Sequence, residues 1–147
     1  MSEFAPPCDS PFHSPQELVL GRIDALCRAD YGLIFDTYHC SSNFRKQFTD
    51  RAEYIQYGLT TLKQDFQVVH GEIIDETRQG RNARVVFLMK TVHNGQIQIY
   101  AELATCVSEN GRWYHLSGQR MEQDQLPENP KHLTIQDFDR LEMKIVF

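Results

Sequence analysis

The sequence lacks any long apolar run and any dense cluster of basic residues. No segment approaches the roughly 20 apolar residues that cross a bilayer. The net charge of −5 and the pI near 5.6 describe an acidic chain, which phosphate backbones repel. The opening segment MSEFAPPCDSPFH lacks the basic and apolar parts of a signal peptide. We therefore expect a cytoplasmic protein that binds neither nucleic acid nor membrane.

The sequence also lacks the closely spaced cysteine and histidine pairs that are typical of metal sites. The chain has four cysteines and no C-x-x-C pair: Cys8, Cys27, Cys40 and Cys106. Zinc sites usually show such spacings. Cys8 and His13 are close in sequence but supply only two ligands, and nothing in the spacing of His70 and His93 supports a metal cluster. We expect no metal, no cofactor and free thiols, which are the usual state in the cytosol.

The length of 147 residues, with 41% hydrophobic and 24% charged residues, fits one domain with its own core. We divide the chain into a flexible arm (1–13), a folded domain (14–121), and a linker with an amphipathic tail (122–147). In the tail, Thr134 is a candidate cap. The apolar residues that follow fit either a helix or, at the end, a strand: Ile135, Phe138, Leu141, Met143, Ile145 and Phe147.

The sequence pattern predicts helices in the first half of the folded domain. Ser14 with Glu17 forms a capping-box pattern around Pro15, which predicts a helix over 15–29. Asp30 is expected to cap a second short helix that ends near His39. A polar connection follows. Asp50 then begins a third helix over about 51–64, and Gly58 favours an early end for it.

The sequence pattern predicts strands in the second half. Four segments rich in β-branched and aromatic residues are separated by turn residues: QVVHGEIIDE, ARVVFLMKTVH, QIQIYAELATCVS and RWYHLSGQRM. The pairs Asn94-Gly95 and Asn110-Gly111 suit the positive φ angles of type I′ hairpins. The sequence therefore predicts an antiparallel meander and an α+β fold, with N-terminal helices packed on a curved antiparallel sheet.

Two-residue turns fix which residues face each other. We expect Phe87 opposite Glu102, Met89 opposite Tyr100, Cys106 opposite His115, and Ala104 opposite Ser117. One face is then aliphatic, and we expect the helices to cover it: Val86, Leu88, Val92, Ile97, Ile99, Leu103, Val107 and Leu116. The other face is mixed: Phe87, Met89, Thr91, Tyr100, Glu102, Cys106, Trp113, His115, Ser117 and Gln119. A single β-bulge would exchange part of these two sets.

This arrangement resembles the nuclear-transport-factor-2-like cone, also called cystatin-like. The segment AELATCVSENGRWYHLSGQ is similar to the closing strands of the middle domain of YchJ-type proteins. The matching residues are Glu102, Gly111, Arg112, Trp113, Tyr114 and Gly118. The segment SPQELVLGRIDALCRADYGLIFDTYH is similar to the first two helices of that family, so the resemblance spans about 14–121. The zinc-binding SEC-C motifs that flank those domains have no counterpart here, and zinc is not carried over.

Glu102 is the first candidate for chemistry. On a mostly apolar face beside Tyr100, desolvation would raise its pKa and make it a general base. The structural alternative is an ion pair or hydrogen bond with Arg112, Arg120 or a backbone amide.

Cys106 opposite His115 is a second candidate, a thiol–imidazole couple, but no third group orients the histidine, and a buried cysteine beside a hydrogen-bonded histidine is the favoured interpretation. The resemblance places Tyr31, Tyr38 and His39 at the cavity mouth, where a tyrosine hydroxyl could polarise a carbonyl. Ketosteroid-isomerase-like members of the fold also place an acid in the cavity, and Asp36 and Asp75 are the residues available. Ordinary core packing is the alternative for each tyrosine.

Two functions remain open, because the fold hosts enzymes as well as binding modules. The favoured one is a non-catalytic module: a homodimer, or a holder of a small apolar ligand. The alternative is a cofactor-independent SnoaL-like or ketosteroid-isomerase-like isomerase or dehydratase, with Glu102 as base and Tyr38 or His115 as polariser. The expected ligand-binding residues are Tyr31, Tyr38, Phe87, Met89, Tyr100, Glu102, Cys106, Trp113 and His115.

Overall fold

A computed structural model describes residues 9–140 and 144–147, with five antiparallel strands and a set of short helices. The strands neighbour one another in chain order: β1 (Gln67–Gln79), β2 (Asn82–His93), β3 (Gln96–Glu109), β4 (Arg112–Met121) and β5 (Lys144–Val146). The predicted α+β fold class is confirmed. Three residues used in the sequence analysis lie outside the described ranges: Cys8, Leu141 and Met143.

The N-terminal helices begin at the predicted caps. Helix α1 (Pro15–Cys27) starts after Ser14, whose side chain accepts from the backbone N–H of Glu17. The Glu17 carboxylate accepts from the N–H of His13 rather than from that of Ser14, so the capping box is only half formed. Helix α2 (Tyr31–Thr37) starts after Asp30, which accepts from Leu33. A polar side chain thus satisfies one of the free N–H groups in each first turn.

The next helices differ from the prediction. A short helix α3 (Asn43–Gln47) lies within the stretch predicted as a polar connection, with Ser42 as its cap. The predicted helix over 51–64 begins as α4 (Arg51–Tyr57) and changes to a π-helical segment at Gly58 before ending in α5 (Lys63–Asp65). A Cβ at Gly58 would lie 2.3 Å from the Tyr31 ring, so the absence of a side chain lets the two helices approach closely.

The meander follows the predicted hairpins. Asn94 and Gly95, like Asn110 and Gly111, have positive φ angles, as type I′ turns require. Three of the four predicted pairs are present: Phe87 with Glu102, Met89 with Tyr100, and Cys106 with His115.

The fourth pair is wrong because β4 contains a bulge. Thr105 and Cys106 are consecutive in β3 but pair with Ser117 and His115, so Leu116 is an extra residue in β4. Past the bulge, side chains exchange faces. Ala104 therefore pairs with Gly118. Gly118 and Arg120 lie on the mixed face in place of the predicted Ser117 and Gln119.

The assignment of the N-terminal helices to the aliphatic face is also wrong. Helix α1 packs Leu18, Val19 and Ile23 on the mixed face, which we call the helix-covered face: Phe87, Met89, Tyr100, Glu102, Ala104, Cys106, Trp113 and His115. On the opposite face, Val86, Leu88 and Leu103 pack with the C-terminal segment: Leu133, Ile135 and Phe138. Either face offers enough apolar area to drive packing, so composition does not decide which element covers it.

The predicted tail forms both structures that its pattern allowed. Helix α6 (Ile135–Arg140) packs on the sheet through Ile135 and Phe138, and β5 extends the sheet beside β4. At the other end, the described part of the predicted arm contacts β4, where the carbonyl of Phe12 accepts from the N–H of Trp113. Within the described ranges, no helix combines the length and apolarity needed to cross a membrane.

The cysteines correct one expectation. Cys27 and Cys106 are free thiols, as expected, but Cys40 is disulfide-bonded. Disulfide formation depends on two sulfur atoms meeting in the fold. The scattered spacing of the cysteines in the sequence could not show this.

Candidate ligand-binding cavity

A cavity of about 370 Å³ lies between the helices and the helix-covered face of the sheet. Its wall is mainly apolar and aromatic, with contributions from α1, α2, α3, α4 and β2 to β5. Six of the nine predicted ligand-binding residues line it: Tyr38, Phe87, Met89, Tyr100, Glu102 and His115. Apolar cavities of this size with a few polar groups are the usual form of small-molecule sites.

Glu102 and Arg120 form the charged part of the sheet wall. They are partners in the β3–β4 register, and Arg120 Nη2 lies 3.5 Å from Glu102 Oε1. Glu102 is only 8% exposed. Burial raises the pKa of the Glu102 carboxyl, and Arg120 and Arg22 act in the opposite direction. Glu102 is thus a desolvated carboxyl with a cationic neighbour.

Arg22 brings a second guanidinium to the cavity from α1. Its Nη1 donates to the Thr37 hydroxyl at 2.6 Å, and its guanidinium carbon lies 4.5 Å from the centre of the Tyr38 ring. Both neighbours are uncharged. Burial raises the pKa of the Tyr38 hydroxyl, and the nearby Arg22 charge acts in the opposite direction. The side chain of Arg22 is therefore held in place by uncharged groups, and its charge acts on the nearby Glu102 carboxyl.

Tyr100 lies between the charged pair and the aromatic wall. Its ring is 4.3 Å from the guanidinium carbon of Arg120, and the residue is 4% exposed. Burial raises the pKa of its hydroxyl, with the Glu102 charge acting in the same direction. Among the described residues, the hydroxyl has no hydrogen-bond partner, and neither does Nε of Arg120. Two polar atoms buried behind the cavity wall are therefore unsatisfied.

His115 forms another polar part of the wall, and its Nε2 is bonded to the main chain. Its Nε2 donates to the carbonyl of Phe147 at 3.0 Å, and its ring meets that of Tyr38 edge-on at 5.2 Å. Burial lowers the pKa of His115 well below its ordinary value, and the nearby Arg22 charge adds to this. His115 is therefore a neutral imidazole that holds the end of the chain against the cavity.

The thiol–imidazole couple is not activated. Cys106 is fully buried, lies outside the cavity wall, and has its thiol pKa raised by burial to about 12. A thiol with such a pKa supplies almost no thiolate near neutral pH. Cys106 and His115 are neighbours in register but do not form a nucleophilic pair.

The other predicted site residues lie elsewhere. Tyr31 meets Tyr54 edge-on, with ring centres 6.2 Å apart, in a cluster beside the cavity. Trp113 is buried in the core, with the guanidinium carbon of Arg78 4.8 Å from its ring centre. Neither residue lines the cavity.

The polar residues of α2 and its surroundings make structural contacts. His39 Nε2 lies 2.9 Å from a carboxylate oxygen of Glu109. Asp36 forms an ion pair with Arg51 at 2.9 Å, and Asp75 accepts from the N–H of Ile135. Neither aspartate lines the cavity. In residues 9–140 and 144–147, no group of three or more His, Cys, Asp or Glu side chains is placed to hold a metal ion.

Sequence reasoning missed several lining residues. Arg22 follows the helical spacing of the buried stripe Val19, Ile23 and Leu26. An arginine within an apolar stripe was the sequence signal that could have placed it at the cavity. Arg120 was named only as a partner of Glu102, because the bulge had not been located. An aromatic group from the helices and the chain end was not anticipated at all: Phe44, Phe48, Tyr54, Tyr57 and Phe147.

Comparisons with known proteins agree with this architecture. Two solved structures are similar to the chain, and each is of a SEC-C motif containing protein with 19% sequence identity. For the protein from Rhodopseudomonas palustris, the TM-score is 0.59, with 75% of this chain and 80% of that chain covered. For the protein from Psychrobacter arcticus, the TM-score is 0.51, with 78% and 62% covered. These likenesses show the fold alone.

No protein with a curated description matches the sequence. The family model described as the middle, nuclear-transport-factor-2-like domain of YchJ matches residues 14–118, which is more than half of the chain. The predicted resemblance is thereby confirmed. The chain belongs to the family of the YchJ middle domain, within the nuclear-transport-factor-2-like fold.

Proposed function

We propose that the domain is a non-catalytic module that binds a small, largely apolar ligand in the cavity between its helices and its sheet. The observation that carries the proposal is the cavity itself, with a volume of about 370 Å³. Its wall is rich in aromatic and aliphatic side chains and has few polar groups. A cavity of this kind stabilises a bound apolar molecule by removing its surface from water.

The states of the candidate catalytic groups favour binding over catalysis. Glu102 has Arg120 as a cationic partner, His115 donates to a backbone carbonyl, and Cys106 is a buried neutral thiol. Each group therefore already has a structural role in the folded protein. A nucleophile with its activating base is not present among them.

A reporter dye tests the proposal directly. N-phenyl-1-naphthylamine is a neutral aromatic molecule whose fluorescence rises in an apolar site. We expect saturable binding with one dye per chain. Ala104 lines the cavity, so Ala104→Leu should reduce the available volume and weaken binding several-fold. Ala83 lies in the core outside the wall, and Ala83→Val serves as the control. Thermal melting confirms that both variants are folded. Absence of saturable binding to the native protein would overturn the proposal.

Native mass spectrometry of the purified protein is the complementary experiment. A mass above 17.1 kDa per chain that reverts on denaturation would identify a retained ligand. The same spectrum reports the oligomeric state.

The alternative function is a cofactor-independent isomerase or dehydratase. One observation favours it: Glu102 is a buried carboxyl with a raised pKa at the wall of a cavity, which suits a general base. A general base would exchange carbon-bound protons of the ligand with solvent. The test is incubation of a ligand recovered from the protein in deuterated water. Deuterium incorporated by the native protein and not by Glu102→Gln would establish catalysis, and no incorporation by either would exclude this role.

A homodimer is the second part of the module proposal. The support comes from exposed apolar side chains on the face opposite the helix-covered face, where Ile97 is 63% and Ile145 is 71% exposed. A second copy of the chain would bury them. We expect light scattering to give twice 17.1 kDa, and Ile97→Lys to give a monomer that still binds the dye. A monomeric native protein would refute this part and leave the cavity proposal intact.

A further inference from the structure

The mouth of the cavity lies where its lining side chains reach solvent. Of the described residues that line it, Tyr57 and Phe147 are the most exposed, at 41% and 40%. Two further rings connect them. Phe48 lies 5.7 Å from Tyr57 and 5.1 Å from Phe44, whose ring meets that of Phe147 edge-on at 5.8 Å. The mouth is therefore an aromatic rim with one edge on α4 and the other beside β5.

The helical edge of this rim is packed firmly into the domain. Tyr57 is the last residue of α4, and the helical run continues through α5. The next residue, Gly58, lies so close to the ring of Tyr31 that a Cβ would not fit. The ring of Tyr57 also lies 6.4 Å from that of Tyr54, which is buried. Movement of this edge would require the close-packed aromatic cluster to rearrange.

The edge beside β5 is held by fewer interactions. Lys144–Val146 pairs only with Gly118–Arg120, whereas β2 pairs with β3 along its whole length. The carbonyl of Phe147 adds one hydrogen bond, which it accepts from Nε2 of His115 at 3.0 Å. A short strand at the edge of a sheet separates at a lower free-energy cost than a strand within a long ladder. β5 is therefore the part of the rim that opens most easily.

β5 also closes the wall in front of the polar groups. Val146 and Phe147 both line the cavity, and a Cβ at Gly118 would lie 3.0 Å from Cγ2 of Val146. Behind them, Glu102 and His115 are only 8% and 2% exposed. A ligand that reaches this part of the wall needs an opening wider than the closed rim provides.

We propose that β5 and Phe147 form a strap that separates from β4 when a ligand enters or leaves the cavity. The hydrogen bond from His115 to Phe147 is its latch. This inference rests on the proposed binding function and concerns the route of access. Opening breaks the pairing with Gly118–Arg120 and the latch, and both form again when the strap closes over the ligand. The strap therefore controls the rates of binding and release, as lids do in other proteins.

A reversible disulfide across β4 and β5 tests the strap. Gln119 and Ile145 are register partners, and Ile145 is 71% exposed on the face away from the cavity. Adjacent antiparallel partners lie within disulfide distance, so Gln119→Cys with Ile145→Cys should lock the strap on oxidation. Intact mass and peptide mapping confirm the new disulfide. The native protein, oxidised and reduced in the same way, controls for the effect of the reagents on its own cysteines.

The rates of N-phenyl-1-naphthylamine binding and release are then measured by stopped-flow fluorescence. We expect a lock closed before loading to slow dye entry at least about tenfold, and a lock closed after loading to slow release similarly. Retention of the loaded dye distinguishes a closed strap from a damaged cavity. Native rates in the locked protein would overturn the strap while the binding module stands. Failure of the native protein to bind the dye would overturn both.

Single substitutions test the rim without a cross-link. Phe147→Ala removes the ring from the strap, and we expect it to raise the rates of binding and release at least about threefold each, with a smaller change in affinity. Leu20 is 48% exposed on α1 and does not line the cavity, so Leu20→Ala is the matched control and should leave both rates unchanged. Rates in Phe147→Ala equal to those of the control would also overturn the strap.

Discussion

Arg120 Nη2 lies 3.5 Å from Glu102 Oε1 at the wall of the cavity, on neighbouring strands. The two residues meet because Leu116 is an extra residue in β4. In an unbroken strand, Arg120 would project from the opposite face of the sheet, since successive side chains alternate. One inserted residue therefore decides that Arg120 lies at the cavity wall.

The titration of Glu102 gives the first prediction. Its pKa is raised above the ordinary 4.5, so the folded state binds this proton more tightly than the unfolded state. Its contribution to stability is highest below 4.5 and is lost as the pH rises through the folded-state pKa. Glu102→Gln does not titrate. We expect the free energy of unfolding of this variant, relative to the native protein, to increase from about pH 5 to about pH 8 in urea denaturation. A pH-independent difference would contradict the raised pKa.

Tyr100→Phe should stabilise the ligand-free protein. The substitution removes a buried hydroxyl that has no partner and retains the ring against Arg120. We expect a gain of about 1 kcal/mol in the free energy of unfolding. Thr37→Val is the matched control, because the buried Thr37 hydroxyl accepts from Arg22 and donates to the carbonyl of Ile34, so its loss should lower stability. Equal losses in both variants would show that the Tyr100 hydroxyl has a partner in solution.

Gly118→Ala should disturb the wall beside the ion pair. An added Cβ would lie 3.0 Å from Cγ2 of Val146 and 3.1 Å from Oε2 of Glu102. We expect a loss of about 1–2 kcal/mol, as in other overpacked sites. Val146→Ala makes room on one side, so the double variant should lose less than the sum of the single losses. Strict additivity in urea denaturation would show that the two sites do not touch.

His115 should remain neutral well below pH 6.5. Burial lowers its pKa, so the folded state resists protonation and loses stability as the pH falls below the unfolded value of 6.5. In an NMR titration, we expect the ring resonances of His115 to change little between about pH 8 and about pH 5.5 while the protein stays folded. A titration midpoint near 6.5 would contradict the burial of this imidazole.

The local features of the fold could be predicted from the sequence because neighbouring residues decide them. Ser14, Asp30 and Asp50 begin helices by accepting from free N–H groups, which is a contact within one turn. Asn94 and Asn110 form hairpin turns with the glycines that follow them. Those turns also fixed the facing pairs nearest to them, including Phe87 with Glu102. The helical order, the meander and the family resemblance all rest on such local patterns.

Only the tertiary structure decided how these elements meet. The bulge at Leu116 placed Arg120 beside Glu102, and the packing of α1 on the mixed face brought Arg22 to the same cavity. No local sequence pattern shows which face of the sheet the N-terminal helices cover, because both faces bury apolar area. The sequence by itself determined the elements and their turns. The cavity and the meeting of Arg22, Glu102 and Arg120 at its wall arise from contacts between residues far apart in the chain, which depend on the packing of the whole domain.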